Sequence, residues 1–269
     1  MRPEARLLLA VACIAIAGCS LTNRLTFVRP NADRGEATQV APVYDFSDKG
    51  GRKSASEPQL IAAAQSQYRQ GRLPEAQASA ARALKLAPSS ADANAMMAMV
   101  LDARGSAREA GGYYQKAVTL APSSGIHANN YGTWLCANGR PGESLAWFER
   151  ALADPDYPTP VAALANAGKC ASRAGQADAA EASWRRALDI EPVNIAALAG
   201  MAKLEYSRGR HLEARAFAER WLAVAPMDPQ GLQLASQIEM KLGDTAASAR
   251  YLHRLQALPA GAVKVPRSQ

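Results

Sequence analysis

The chain has 269 residues and a formal net charge of +7. Its basic residues are scattered along the sequence and form no single cluster, so we expect no nucleic-acid-binding site. Alanine is abundant and only 6% of the residues are aromatic, a composition that favours close-packed helices over a β-sandwich.

The first 18 residues have the features of an export signal. Arg2 and Arg6 stand before an uncharged, mostly apolar run over residues 7–18. The apolar region of a signal peptide is about 7 to 15 residues long, whereas a membrane-spanning helix needs about twenty. Residues 1–18 are therefore predicted to be a signal peptide and not a membrane span.

A cysteine follows this run directly. The residues I-A-G-C at 16–19 resemble the bacterial lipobox, which implies that Cys19 is lipidated and becomes the first residue of the mature protein. The alternative is an ordinary secretory signal followed by a chance cysteine. Ser20 favours transfer to the outer membrane in lipoproteins of this kind, and several acyl chains anchor a protein firmly. The expected location is the outer membrane, facing the periplasm.

Residues 19–56 have no helical or strand period and are rich in Gly, Ser, Pro, Asp and Lys. We interpret this segment as a flexible tether with a mean reach of roughly 35 Å.

A repeat begins after residue 57. Glycines recur at intervals of 34 or 36 residues, at Gly71, Gly105, Gly139, Gly175, Gly209 and Gly243. Prolines recur in step with them, at Pro88, Pro122, Pro155, Pro192, Pro226 and Pro259. Each glycine is placed to end a first helix in a left-handed conformation, and each proline is placed to stop a second helix.

Small residues stand seven before and five after each glycine, so the two helices of a unit can approach closely there. The first set is Ala64, Ala98, Gly132, Gly168, Ala202 and Ser236; the second is Ala76, Ala110, Ser144, Ala180, Ala214 and Ser248. Nine residues after the glycine, Tyr114, Phe148 and Trp184 are large and are expected to fill the remaining space; repeat five has Ala218 there and Trp221 three residues later.

This pattern resembles the tetratricopeptide repeat, in six copies over 57–90, 91–124, 125–160, 161–194, 195–228 and 229–260. The predicted fold class is all-α, a right-handed superhelical solenoid over residues 57–260 with a concave face lined by the first helices. Residues 261–269 form a basic tail without an evident role.

Chemistry-bearing motifs are absent from the sequence. His127, His211 and His253 lie in different repeats without metal-ligand spacing. No nucleophile elbow, phosphate-binding loop or paired acidic motif is present. We therefore expect no metal, no cofactor, no small-molecule substrate and no enzymatic activity.

Three stretches are less generic than the repeat itself: N-N-Y-G-T-W-L-C-A-N-G-R at 129–140, D-P-D-Y-P-T-P at 154–160 and N-A-G-K-C-A-S-R-A-G at 166–175. Together with the order of lipobox, tether and six repeats, they resemble the pilotin lipoproteins of type IV pili, the PilF and PilW family. The resemblance implies a protein that binds secretin subunits and promotes their outer-membrane localisation and multimerisation. A rival function is a periplasmic scaffold or activator for cell-wall or envelope-assembly enzymes.

The concave face is the expected site of partner binding. By helical position it should carry Ile61, Tyr68, Met99, Asn129, Lys169, Arg173, Lys203 and Tyr206. Its N-terminal half is then apolar and its middle basic, and an exposed apolar groove would suit a secretin segment that awaits insertion. Each of these side chains could equally belong to the core. The amides of Asn129, Asn130 and Asn166 either satisfy groups at helix ends and loops or, at Asn129, bind a partner's backbone.

Cys136 and Cys170 are both predicted to lie late in the first helices of adjacent repeats. Neighbouring helix axes are ~8 to 10 Å apart, and a disulfide requires Cα atoms within roughly 7 Å. An oxidising periplasm would favour a bridge; the alternative is a pair of buried thiols.

Overall fold

The computed structural model describes residues 55–259, and within that range the chain forms twelve α-helices and no strand. The helices alternate between two roles. The first helices of the six pairs are α1 (Glu57–Arg69), α3 (Ala91–Ala103), α5 (Gly125–Ala137), α7 (Pro160–Arg173), α9 (Ile195–Ser207) and α11 (Pro229–Leu242). The second helices are α2 (Leu73–Leu86), α4 (Ala107–Leu120), α6 (Pro141–Leu152), α8 (Ala177–Ile190), α10 (His211–Val224) and α12 (Thr245–Gln256).

The six repeat glycines adopt the left-handed conformation predicted for them, with φ between 72° and 84°. At Gly71, for example, the glycine N–H donates to the Tyr68 carbonyl and the Arg72 N–H donates to the Gln67 carbonyl, each at 2.9 Å. These two bonds satisfy carbonyls that the helix leaves free at its end. Most first helices begin at a capping side chain: Ser90, Ser124, Asn194 and Asp228 each accept a backbone N–H bond.

The predicted close approach within each helix pair is confirmed. All twelve small residues are buried. The large residues predicted to fill the neighbouring space are buried as well, namely Tyr114, Phe148, Trp184 and Trp221. The repeat therefore sets both where two helices touch and what fills the space beside the contact.

Helix contacts between repeats give the solenoid its curvature. Each first helix contacts the next first helix, and each second helix contacts the first helix of the following repeat. Among the described helices, no second helix contacts the next second helix. Because the first helices lie closer together than the second helices do, the row of first helices forms the concave side.

The connection between α6 and α7 is longer than the others and packs against the start of α5. The Asp154 carboxylate accepts the Gly125 N–H at 2.7 Å, and the Tyr157 side chain is buried beside Ala128, Ala151 and Ala163. A Cβ atom on Gly125 would lie 2.8 Å from the Tyr157 Cβ atom, so glycine is required there. Helix α7 begins at Pro160, one residue before the repeat boundary expected from sequence.

The predicted signal peptide, Cys19, nearly all of the tether and the basic tail lie outside the described residues. Between residues 55 and 259, no helix is both long and apolar enough to cross a bilayer.

Candidate partner-binding face

We define the first-helix face as the side chains of α1, α3, α5, α7, α9 and α11 that point away from the second helices. All eight residues predicted for the partner-binding groove lie on first helices. One of them does not offer the exposed apolar surface that we expected. Ile61 is only 9% exposed and packs in the core with Leu60, Ala83 and Ala93. The reason is that α1 and α3 are in direct contact, which covers this position of the helix.

The other apolar members of the predicted groove are half-buried. Tyr68 and Met99 pack against the core of repeats one to three, which includes Met96 and Leu101. Tyr206 packs against the core of the later repeats and lies 5.5 Å, between ring centroids, from His211. Each of these side chains therefore has one face in the core and one face available to a partner.

An amide pair joins α5 to α7 in the middle of the face. The Asn166 amide donates to the Asn129 side-chain oxygen at 3.2 Å and to the Thr133 hydroxyl at 3.3 Å. Asn129 and Asn166 are both half-buried, so Asn129 is partly satisfied by its neighbour and still retains its own N–H groups for a partner. Both expectations for these amides, internal satisfaction and partner contact, are compatible with this geometry.

Basic side chains on α7 and α9 lie beside this pair. Lys169 and Arg173 are exposed on α7, and Lys203 is exposed on α9, where its ammonium donates to the Gln230 side chain at 2.9 Å. Arg173 also donates to the Cys136 carbonyl at 3.4 Å. Since α7 and α9 are in contact, the structure brings these three cations onto one stretch of the first-helix face.

Cys136 and Cys170 form a disulfide in the structure, with an S–S distance of 2.06 Å and Cα atoms 5.7 Å apart. Both cysteines are buried and pack with Phe148 and Ala167. The bridge therefore joins the first helices of repeats three and four, the same two helices that the amide pair connects.

Sequence reasoning missed the contacts that connect one repeat to the next, which we call joints. In the joint between repeats five and six, the Arg215 guanidinium donates twice to the Glu239 carboxylate. Glu239 is only 3% exposed. The hydrogen bond from the Arg215 guanidinium to Glu239 raises the pKa of Arg215. The sequence did contain one indication of this pair. Repeat six has a glutamate four residues before its turn glycine, a position where repeats two and three have leucine.

The joint between repeats four and five carries a larger ionic network. Arg208 donates to Glu181 and, at 2.6 Å, to Asp178, both on α8. Arg210 in turn binds Glu205, which is 1% exposed. The hydrogen bond from Arg208, followed by that from Arg185, lowers the pKa of Glu181.

At other helix contacts, tryptophan rings pack directly against glycines. A Cβ atom on Gly111 would lie 2.4 Å from the Trp134 ring, whose Nε1–H donates to the Ala107 carbonyl at 3.1 Å. Trp184 lies between two such glycines, since Cβ atoms on Gly168 and Gly200 would stand 2.4 and 2.3 Å from it. Glycine at these positions therefore admits the indole ring.

A buried histidine joins repeats two and three. The His127 Nε2 atom lies 3.3 Å from the exposed Asp92 carboxylate. Burial lowers the pKa of His127, and the negative charge of Asp92 partly opposes this effect. Across residues 55–259, no three His, Cys, Asp or Glu side chains converge as a metal site would require.

Comparison with known proteins defines the family. A tetratricopeptide repeat model matches residues 61–125 and 95–158, and a second one matches residues 171–238. The solved structure of PilW, described as a widely conserved type IV pilus biogenesis factor, is 30% identical to this chain. The match covers 75% of this chain and 92% of PilW, with a TM-score of 0.71. The chain belongs to the tetratricopeptide repeat proteins of the type IV pilus.

A second relative agrees with this family. The type IV pilus assembly protein PilF of Pseudomonas aeruginosa is 24% identical over 188 residues, which are 70% of this chain and 75% of PilF. Its solved structure shares the fold, with a TM-score of 0.69, 23% identity, and coverage of 76% of this chain and 92% of that one. Tetratricopeptide repeat proteins in pilus biogenesis bind protein partners, and the repeat family is typically a non-catalytic scaffold.

Proposed function

We propose that this protein is an outer-membrane lipoprotein that binds the type IV pilus secretin and promotes its localisation and multimerisation in the outer membrane. It is not an enzyme in this proposal. The observation that carries it is the 30% identity to PilW over most of both chains. The first-helix face supports it, because half-buried apolar side chains and exposed cations there are available to a protein partner.

The lipid anchor belongs to the same proposal. Cys19 would hold the mature protein in the inner leaflet of the outer membrane, and the tether would let the repeats reach secretin subunits that arrive from the periplasm. Replacing Cys19 by serine should leave an unacylated precursor, because the thioether to lipid cannot form. Fatty-acid labelling measures this directly. A Cys19→Ser protein that still takes up label and still floats with outer-membrane vesicles would contradict the anchor.

Deletion of the gene tests the function itself. We expect the SDS-resistant secretin multimer to disappear from an unboiled gel while the secretin monomer remains. Complementation with the wild-type gene should restore the multimer. Normal secretin multimers together with altered cell-wall synthesis would instead support the scaffold for envelope enzymes and would overturn the secretin role.

The groove can be tested with a variant chosen from the structure. Ile61 is a core residue, so a charge there would perturb folding as well as binding. Met99→Asp with Tyr68→Asp places charges at half-buried positions of the same face, and we expect lost secretin capture with a retained helical circular-dichroism signal. Ala81→Asp on α2 is the matched control, because Ala81 is exposed on a second helix. Wild-type capture by the folded double variant would argue against an apolar contact at this site.

A further inference from the structure

On the first-helix face, α1 carries both signs, as Glu57 and Arg69, whereas the charges of the later first helices are separated by sign. Helix α3 carries Asp92 and Asp102 and has no basic residue. Helices α5, α7, α9 and α11 carry four exposed cations, namely Lys169, Arg173, Lys203 and Lys241. The only acidic residues on these four helices are Glu205 and Glu239.

Neither glutamate reaches the face. Glu205 and Glu239 are 1% and 3% exposed. The guanidinium of Arg210 binds Glu205, and that of Arg215 on α10 binds Glu239. Both carboxylates are therefore neutralised inside the joints. The exposed charge on α5, α7, α9 and α11 is entirely positive, which attracts an anionic partner.

Small residues stand beside the cations at equivalent positions of α7 and α9. Lys169 and Lys203 occupy the same position in repeats four and five, six residues before the turn glycine. One helical turn before each lysine stands a small residue, Ala165 or Ala199. The Asn129–Asn166 pair lies at the edge of this strip, and its free amide groups match the hydrogen-bonding groups of a peptide.

We propose that repeats three to six bind an extended, acidic polypeptide segment, with its acidic part over α7 and α9 and its neutral or basic part towards α3. This inference rests on the proposed function, because the segment belongs to the secretin. A flat anionic membrane fits less well, since the concave row of first helices cannot lie against a plane.

The geometry also sets the spacing of the acidic residues. Neighbouring first helices are ~8 to 10 Å apart between axes, and a chain in the extended polyproline II conformation advances ~3.1 Å per residue and returns to the same face every three residues. Carboxylates that pair with Lys169 and Lys203 should therefore stand about three residues apart in the bound segment.

An array of fifteen-residue peptides, tiled across the secretin of the same organism, tests this proposal with the complete mature protein. We expect bound peptides to contain two acidic residues about three positions apart. The charge reversal Lys169→Glu with Lys203→Glu should weaken their binding roughly tenfold, and about 0.5 M NaCl should weaken wild-type binding similarly. Replacing the two acids of a bound peptide by lysine should favour the reversed variant over the wild type.

The control is Lys85→Glu with Lys116→Glu, which makes the same change of charge at exposed positions of α2 and α4 and should bind like the wild type. Equal peptide binding by the reversed variant would overturn the proposal. So would a bound set without the acidic pair, or no bound peptide at all. Gene deletion, read out as loss of secretin multimers, tests the proposed function separately. That result would support the proposed function even if no acidic segment bound to repeats three to six.

Discussion

Repeats two and three meet through an apolar contact, whereas repeats five and six meet through an ionic one, although both contacts use the same position of the second helix. Six residues after the turn glycine, repeat two has Gly111 and repeat five has Arg215. Gly111 admits the Trp134 ring from α5, and Arg215 binds the buried Glu239 of α11. The backbone thus decides where two repeats meet, and one side chain decides the chemistry of the contact.

The apolar contact and the ionic contact differ in what their stability depends on. An indole packed on glycine depends on shape and is insensitive to pH, because neither group titrates. A buried carboxylate is stable only while its cation stays in place, since an unpaired buried charge is costly. The joint between repeats three and four is of a third kind, because the Cys136–Cys170 bridge closes it covalently.

The largest effect should come from the covalent joint. Cys136→Ala with Cys170→Ala removes a bridge between residues 34 apart and should lower the free energy of unfolding by about 3 to 4 kcal/mol on the chain-entropy model. Urea denaturation of the oxidised wild type and the variant measures this. Counting free thiols in native protein isolated without reductant provides the control, and two blocked thiols in that protein would refute the bridge.

Breaking the ionic joint on one side should cost nearly as much. Arg215→Ala leaves the Glu239 carboxylate buried without its partner and should destabilise repeats five and six by about 3 kcal/mol. Arg215→Met with Glu239→Leu should recover most of that loss, because leucine is buried at this position in repeats two and three. Amide hydrogen exchange in α11 and α12 measures both the destabilisation by Arg215→Ala and the recovery in the double variant. An Arg215→Ala protein as stable as the wild type would show that water already solvates Glu239.

Filling the space beside a tryptophan should have a smaller effect. Gly200→Ala places a Cβ atom 2.3 Å from the buried Trp184 ring, and overpacking of this kind costs about 2 kcal/mol. Gly112→Ala is the matched control, since a Cβ atom there meets nothing within 4 Å. It should stabilise the chain by about 0.5 to 1 kcal/mol. Equal melting temperatures for the two variants would contradict the packing argument.

Acid should loosen two joints in different pH ranges, that between repeats two and three through His127 and that between repeats four and five through Glu181. Burial lowers the pKa of His127 from its ordinary 6.5, so below about pH 6.5 the unfolded chain binds more protons and stability falls. The pKa of Glu181 is lowered from 4.5, so its contribution is complete above pH 4.5 and is lost as pH falls further. His127→Gln should flatten the first decline and leave the second. Urea midpoints measured between pH 7 and 3 test this order, and a single decline unaffected by His127→Gln would contradict it.

Sequence periodicity predicted the packing that recurs within each repeat. The turn glycines, the twelve small residues and the large fillers such as Phe148 recur at fixed positions because each repeat solves the same local packing problem, and the structure confirms them. Helical position inside one repeat could not show that Ile61 is covered, because α3 of the next repeat covers it.

The residue pairs that form the joints could not be predicted from periodicity, for a related reason. Glu239 pairs with a residue 24 positions earlier, and Asn166 with one 37 positions earlier. Neither spacing belongs to a helix or to the repeat period, so only the stacking of repeats brings the partners together. Their identities also change from joint to joint, which removes the recurrence on which the other predictions depended.

The Cys136–Cys170 bridge has a mechanical consequence for the repeat array. If tension were applied between the two ends of the repeat array, the outer repeats could unravel one after another, as weakly coupled units do. The chain between the bridged cysteines, which stand 34 positions apart, could not extend, and this withholds about 110 Å of contour length from the stretched chain. The centre of the array would thus keep its two linked first helices, and with them a nucleus for refolding, while both flanks were drawn out.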